Sequence, residues 1–90
     1  MKYAIFPPEE ILQATVTLPL SKSESARRIV IDAVGGYTTA AEDVADCDDT
    51  RALMQAISAR TGRVDIGAAG TAMRFAAAFF AATEGADIIL

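Results

Sequence analysis

Apolar and polar positions change period several times along the chain, and each change marks an element. Tyr3 to Phe6 is a short apolar run stopped by Pro7-Pro8, and Ala14 to Leu18 alternates in a β-branched manner; both predict short strands. From Ser21 the period becomes helical. Ala26, Ile29, Val30, Ala33 and Val34 form one continuous stripe, Ser21 with Glu24 three places on makes a capping-box pattern, and Gly35-Gly36 ends the element. Tyr37 to Val44 reads as a further strand.

Asp46-Cys47-Asp48-Asp49-Thr50 then opens a second helix, running through about Arg60, with Leu53, Met54 and Ile57 inward and Gly62 as its stop. Acids stand first and Arg60 last, as the helix dipole favours, so the acidic pair reads as structural, with a ligand-orienting or metal role as the lesser alternative. Arg63 to Ile66 is a short strand leading into a turn with Gly67 and Gly70, and Ala86 to Leu90 is a last apolar strand. Between them Thr71 to Glu84 is a helix that is apolar almost all the way round, which calls for cover on every side.

These elements predict an α/β (α+β) fold with three helices and a small mixed sheet, in one partial domain over residues 1–90. A helix apolar on all faces and a final strand leave more nonpolar surface than 90 residues comfortably cover. The expectation is a piece of a longer protein, or a domain that needs a partner.

Composition narrows the function. Apolar residues make up 52% and charged ones 22%, which argues for a globular fold, and the net charge of −4 argues against general nucleic-acid binding. With one cysteine, Cys47, and no histidine, neither an internal disulfide nor a Cys/His metal cluster is expected; Cys47 reads as a small buried residue in a reducing, cytoplasmic setting. The start does not pattern as a signal peptide, and the longest apolar run, Phe75 to Ala82, is too short to span a bilayer.

Against that acidic background, residues 22–28 carry three cations and one Glu. A helix start exposes unpaired N–H groups and the positive end of the macrodipole, where cations are unfavourable, yet Lys22 and Arg27 stand there. An anionic ligand held by backbone N–H groups, Ser hydroxyls and the two cations explains this economically. Arg27 lies at the edge of the apolar stripe on the side shared with Ser23, and an ion pair with Glu24 is the equally weighted alternative; Arg28 points away and reads as a surface residue. Arg74 repeats the theme one turn after Gly70. Two basic helix starts converging on one anionic ligand is one account, and an Arg bonding loop carbonyls is the other.

Three motifs add a resemblance. Leu18-Pro19-Leu20-Ser21-Lys22-Ser23 with Ser25 and Arg27, then Asp46-Cys47-Asp48-Asp49-Thr50-Arg51, then Gly67 with Ala69-Gly70-Thr71-Ala72-Met73-Arg74 resemble, in order, the N-terminal signatures of the 3-phosphoshikimate 1-carboxyvinyltransferase (EPSP synthase) family. The resemblance implies transfer of the enolpyruvyl group of phosphoenolpyruvate to the 5-hydroxyl of shikimate 3-phosphate, without metal or organic cofactor. By matching positions it implies that Lys22 contacts both substrates at the reacting centre, that Ser23 and Arg27 bind shikimate 3-phosphate, and that the Gly70 backbone binds phosphoenolpyruvate. Asp49, Thr71 and Arg74 are implied as supporting residues.

The fold so implied is an inside-out α/β architecture of two domains, of which this chain is an N-terminal βαβαβ-type unit. Its partner is then the C-terminal part of the same enzyme, no nucleic acid or membrane is involved, and the piece alone does not turn over. The related transferase acting on UDP-N-acetylglucosamine is an alternative, less favoured by the Ser-Lys-Ser and Asp-Asp-Thr patterns. From another class, a non-catalytic phosphate-binding or protein-interaction module is the second.

Overall fold

The computed structural model describes residues 1–59 and 61–90. Helix α1 spans Lys22–Val34, α2 Asp48–Ile57 and α3 Gly70–Ala81, with strands β1 Thr61–Arg63 and β2 Asp87–Ile89 and one 3-10 turn at Ala41–Asp43. The strands pair in parallel, Thr61 opposite Asp87 and Arg63 opposite Ile89, and α3 is the crossover between them. The three expected helices and an α/β class are therefore present. The strands differ in several ways.

Tyr3 to Phe6 and Ala14 to Leu18 form no strand and have no regular secondary structure, with Tyr3, Ile5, Phe6, Val16 and Leu18 all exposed. A strand exists only where its backbone N–H and C=O groups meet a neighbour, and among the described residues no strand lies beside this segment. The molecule is accordingly long, 63 Å in its greatest dimension, with a radius of gyration of 18.2 Å where a compact chain of this length has about 12 Å.

Tyr37 to Val44 is also not a strand. The Thr39 hydroxyl, buried, donates to Asp32 Oδ2 at 2.7 Å, and the Asp43 N–H turns back to the Ala40 carbonyl at 3.1 Å, so the backbone closes a 3-10 turn. The strand expected at Arg63 to Ile66 falls on Thr61–Arg63 instead, because Asp65 Oδ1 accepts the Gly67 N–H at 2.7 Å and bends the chain. Ile66 turns into the core. The sheet is thus two parallel strands rather than a small mixed one, and the order of elements is ααβαβ rather than βαβαβ.

Helix α2 ends at Ile57, where the Ser58 hydroxyl donates to the Gln55 carbonyl at 2.7 Å. The expected end at Arg60 lies outside the described residues.

The three helices pack against one another, α2 meeting both α1 and α3. Their shared core is Ala26 and Ile29 of α1, Leu53 and Ala56 of α2, and Ala72, Ala76 and Phe80 of α3, closed by Val44, Ile66 and Ala69. Alanine dominates these contacts, which lets the backbones approach and brings the three helix starts near one another. Helix α3 is not covered all round: Met73, Ala77, Ala78 and Ala81 face outward. Alanine methyls are small, so this exposure costs little.

Candidate functional site

The start of each helix is built differently. Ser21 caps α1, its Oγ accepting the Glu24 N–H at 3.3 Å. At α2 the Cys47 N–H donates to Thr50 Oγ1 at 3.2 Å. Cys47 is half-buried rather than buried, and the Thr50 hydroxyl beside it draws its thiol below the usual value. Helix α3 follows Ala69, which has no capping oxygen. Asp49 of α2 supplies one from a distance.

Asp49 Oδ1 accepts the Ala72 N–H at 3.4 Å, while Oδ2 pairs with Lys22 Nζ at 3.1 Å. One carboxylate thereby links the first turns of all three helices, and their positive dipole ends gather around it. The Lys22 ammonium, followed by the Ala72 and Thr71 N–H groups, holds the Asp49 carboxyl below its ordinary value, with partial burial opposing. A carboxyl whose value is depressed by folding adds stability above its unfolded value and loses it as pH falls through the folded one. Acid titration of the native chain should therefore show a loss of stability below the ordinary carboxylate range that is smaller in Asp49→Asn, measured by thermal melts across pH; identical slopes would contradict the linkage.

Two buried hydroxyls hold α2 in place for this contact. Ser25 Oγ donates to the Ser21 carbonyl at 2.6 Å and accepts the Ala45 N–H at 2.8 Å, and Thr50 Oγ1 donates to the Ala45 carbonyl at 2.5 Å. Both backbone groups of Ala45 are thus satisfied by side chains from the two helices it lies between. Sequence reasoning missed this pair. The available signal was a hydroxyl on the stripe side of α1, beside Ala26.

Beside the linked helix starts lies an open cavity of about 440 Å³ between α1 and α3, lined by Ser23, Arg27, Thr71, Arg74, Phe75 and Ala78. Four of the expected residues therefore share one surface. Among the described residues neither Arg27 nor Arg74 has an ion pair, whereas Arg28 reaches Asp43 at 3.1 Å and Asp32 at 3.7 Å, and Arg51 reaches Asp46 and Asp48 at 3.4 and 2.9 Å. The pairing of Arg27 with Glu24 does not form, and Arg28, exposed as expected, is committed to acids. Two guanidinium groups without ion pairs among the described residues line one space with two hydroxyls, an arrangement whose chemistry suits a multiply charged anion.

Lys22 and Gly70 are not part of the cavity lining. Lys22 is placed on Asp49, so the counter-charge expected from a ligand is met in this structure by a side chain of the chain itself, a correction to the reading that it lacked one. Gly70 is the first residue of α3, exposed, at the helix turn whose Ala72 amide Asp49 accepts. A second cavity, of about 290 Å³ and lined by Ile29, Tyr37, Met54, Ile57 and Phe79 among others, has no charged side chain.

Across 89 residues, 99% of its length, the chain is 39% identical to curated proteins from two strains of Bacteroides fragilis. Both are named 3-phosphoshikimate 1-carboxyvinyltransferase. This chain is similar to that transferase. It spans 22% of the length of the transferase relatives it matches. No family model matches the chain, and no solved structure does. Among the described residues, no helix is long and apolar enough to cross a membrane.

Proposed function

We propose that residues 1–90 are the N-terminal part of a 3-phosphoshikimate 1-carboxyvinyltransferase and supply one wall of its substrate cleft. The full-length enzyme would move the enolpyruvyl group of phosphoenolpyruvate to the 5-hydroxyl of shikimate 3-phosphate, in the cytoplasm, on the route to chorismate and the aromatic amino acids. The 90 residues alone would bind without turnover, because the remaining part of the two-domain architecture carries the rest of the cleft.

The observation that carries this reading is that Arg27 and Arg74, without ion pairs among the described residues, line one cavity together with Ser23 and Thr71. Both substrates are phosphate esters, and such a group needs convergent cations and hydroxyl donors. In this reading Ser23 and Arg27 hold shikimate 3-phosphate. Arg74 and Thr71 support them from α3, Lys22 serves both substrates at the reacting centre, and the Gly70 amide receives phosphoenolpyruvate. The similarity to the transferase supplies the identity of the substrates.

Titrating shikimate 3-phosphate into the 15N-labelled chain should shift the amides of residues 21–27 and 69–74, with weak affinity. A well-dispersed spectrum that does not move at millimolar ligand would instead favour a non-catalytic interaction module.

A further inference from the structure

Asp49 occupies two groups that an anion at the start of α3 would use. Its Oδ2 lies 3.1 Å from Lys22 Nζ and its Oδ1 3.4 Å from the Ala72 nitrogen. The neighbouring acids are differently engaged: Asp46 and Asp48 turn to Arg51 at 3.4 and 2.9 Å. Asp49 is therefore the member of this acidic run that faces α1 and α3. Its side chain is 18% exposed and that of Lys22 is 50% exposed, so a solute can reach the ammonium while Asp49 stays beneath it.

From this geometry we infer that Asp49 is a built-in counter-anion, which an incoming phosphate monoester must displace to gain Lys22. The inference rests on the functional reading above and adds a step of regulation to the same site. Without ligand, Asp49 neutralises Lys22 and offsets the meeting of three positive helix ends. A dianion approaching the cavity first meets Arg27 and Arg74, which have no competing ion pair among the described residues. Lys22 lies outside the lining but next in sequence to Ser23, which belongs to it, so a dianion lodged there competes for the ammonium with two charges against one. The long Ala72 contact on the far oxygen is a weak restraint on Asp49, since hydrogen bonds lose strength at that length. Ligand binding and release of Asp49 are thereby coupled.

The probe is inorganic phosphate, titrated into the full chain and followed by amide shifts at Lys22 and at Gly70 to Ala72. Asp49→Asn keeps the side-chain shape and a carbonyl for the Ala72 amide but removes the competing charge. It should bind phosphate roughly fivefold more tightly than the native chain, the scale of a partly exposed ion pair, and adding Lys22→Gln should cancel the gain. In the native chain the Asp49 carboxyl carbon resonance should move in step with the Lys22 amide as phosphate is added. That measurement decides the matter if the variant does not fold.

Equal or weaker binding by Asp49→Asn, no phosphate binding by either protein, or an Asp49 carboxyl that stays fixed while Lys22 responds would each overturn the inference. Shikimate 3-phosphate binding by the native chain would survive those results, so failure here is separable from failure of the proposed function.

Discussion

Leu53→Ala is expected to lower the stability of the chain by about 2–5 kcal/mol, toward the upper end of that range. Leu53 is 0% exposed, and it and Thr50 are the largest side chains so completely enclosed among the described residues. It sits on α2, which packs against both α1 and α3. Much of its surroundings is alanine: Ala26, Ala56, Ala72 and Ala76 all belong to the same core. An alanine has no side-chain rotamer with which to fill a void, so the space left by the isobutyl group closes only if helices move. A domain of this size holds on the order of 5–13 kcal/mol in total, and such a loss removes a large share of it. Urea denaturation followed by far-UV circular dichroism measures the change; a loss below about 1 kcal/mol, the scale of an unburied position, would contradict the central placement of Leu53. Ile31→Ala, on the exposed side of α1, is the matched control.

The same reliance on local pattern explains what the sequence made legible. Helix α1 announces itself in a stripe, a Ser21 cap and a Gly35-Gly36 stop, all within one stretch, and the structure places it at Lys22–Val34. Helix α3 is as plain, beginning after Ala69 and ending at Ala81, before Gly85. Strands are different in kind. Thr15, Val16 and Thr17 suit a strand well, yet a strand also needs a lateral partner, which no local pattern supplies. Residues 14–18 consequently form no strand, and Tyr37 to Val44 takes the bonds that Asp32 and Ala40 offer.

The placement of the candidate residues was legible to a similar depth. The helical repeat put Ser23 and Arg27 on one side of α1, and a Gly-containing turn put Arg74 one turn into α3; their meeting across a cavity is a tertiary fact that the repeat suggested. The partnership of Lys22 with Asp49 was not visible, because the residues are 27 positions apart and each has a sufficient local account. Asp49 suits the dipole of its own helix, and Lys22 suits an absent ligand. Only the packing of α1, α2 and α3 shows that one carboxylate serves Lys22 and the uncapped start of α3 together.

Loss of either guanidinium should then be felt mainly in binding. Arg27→Ala and Arg74→Ala are each expected to weaken shikimate 3-phosphate binding by roughly ten- to a hundredfold, since a hydrogen bond to a charged group contributes about 1.5–3 kcal/mol. Both side chains are exposed and unpaired among the described residues, so each variant should keep its stability within about 0.5 kcal/mol of the native chain. The double variant should lose less than the product of the single losses, because the two groups grip one ligand and its remaining contacts are already loosened by the first removal. Arg28→Ala gives the opposite pattern. Its guanidinium serves Asp43 and Asp32, away from the cavity lining, so it should leave binding unchanged while shifting stability slightly. Raising the salt concentration should weaken native binding and flatten the difference between native and variant chains, because exposed charges are screened. Calorimetric titration reads affinity, and thermal melts read stability. Equal effects of Arg27, Arg28 and Arg74 on affinity would mean that the chain attracts the ligand through general positive charge, wherever it stands, and the cavity between α1 and α3 would then have no special claim on the phosphate.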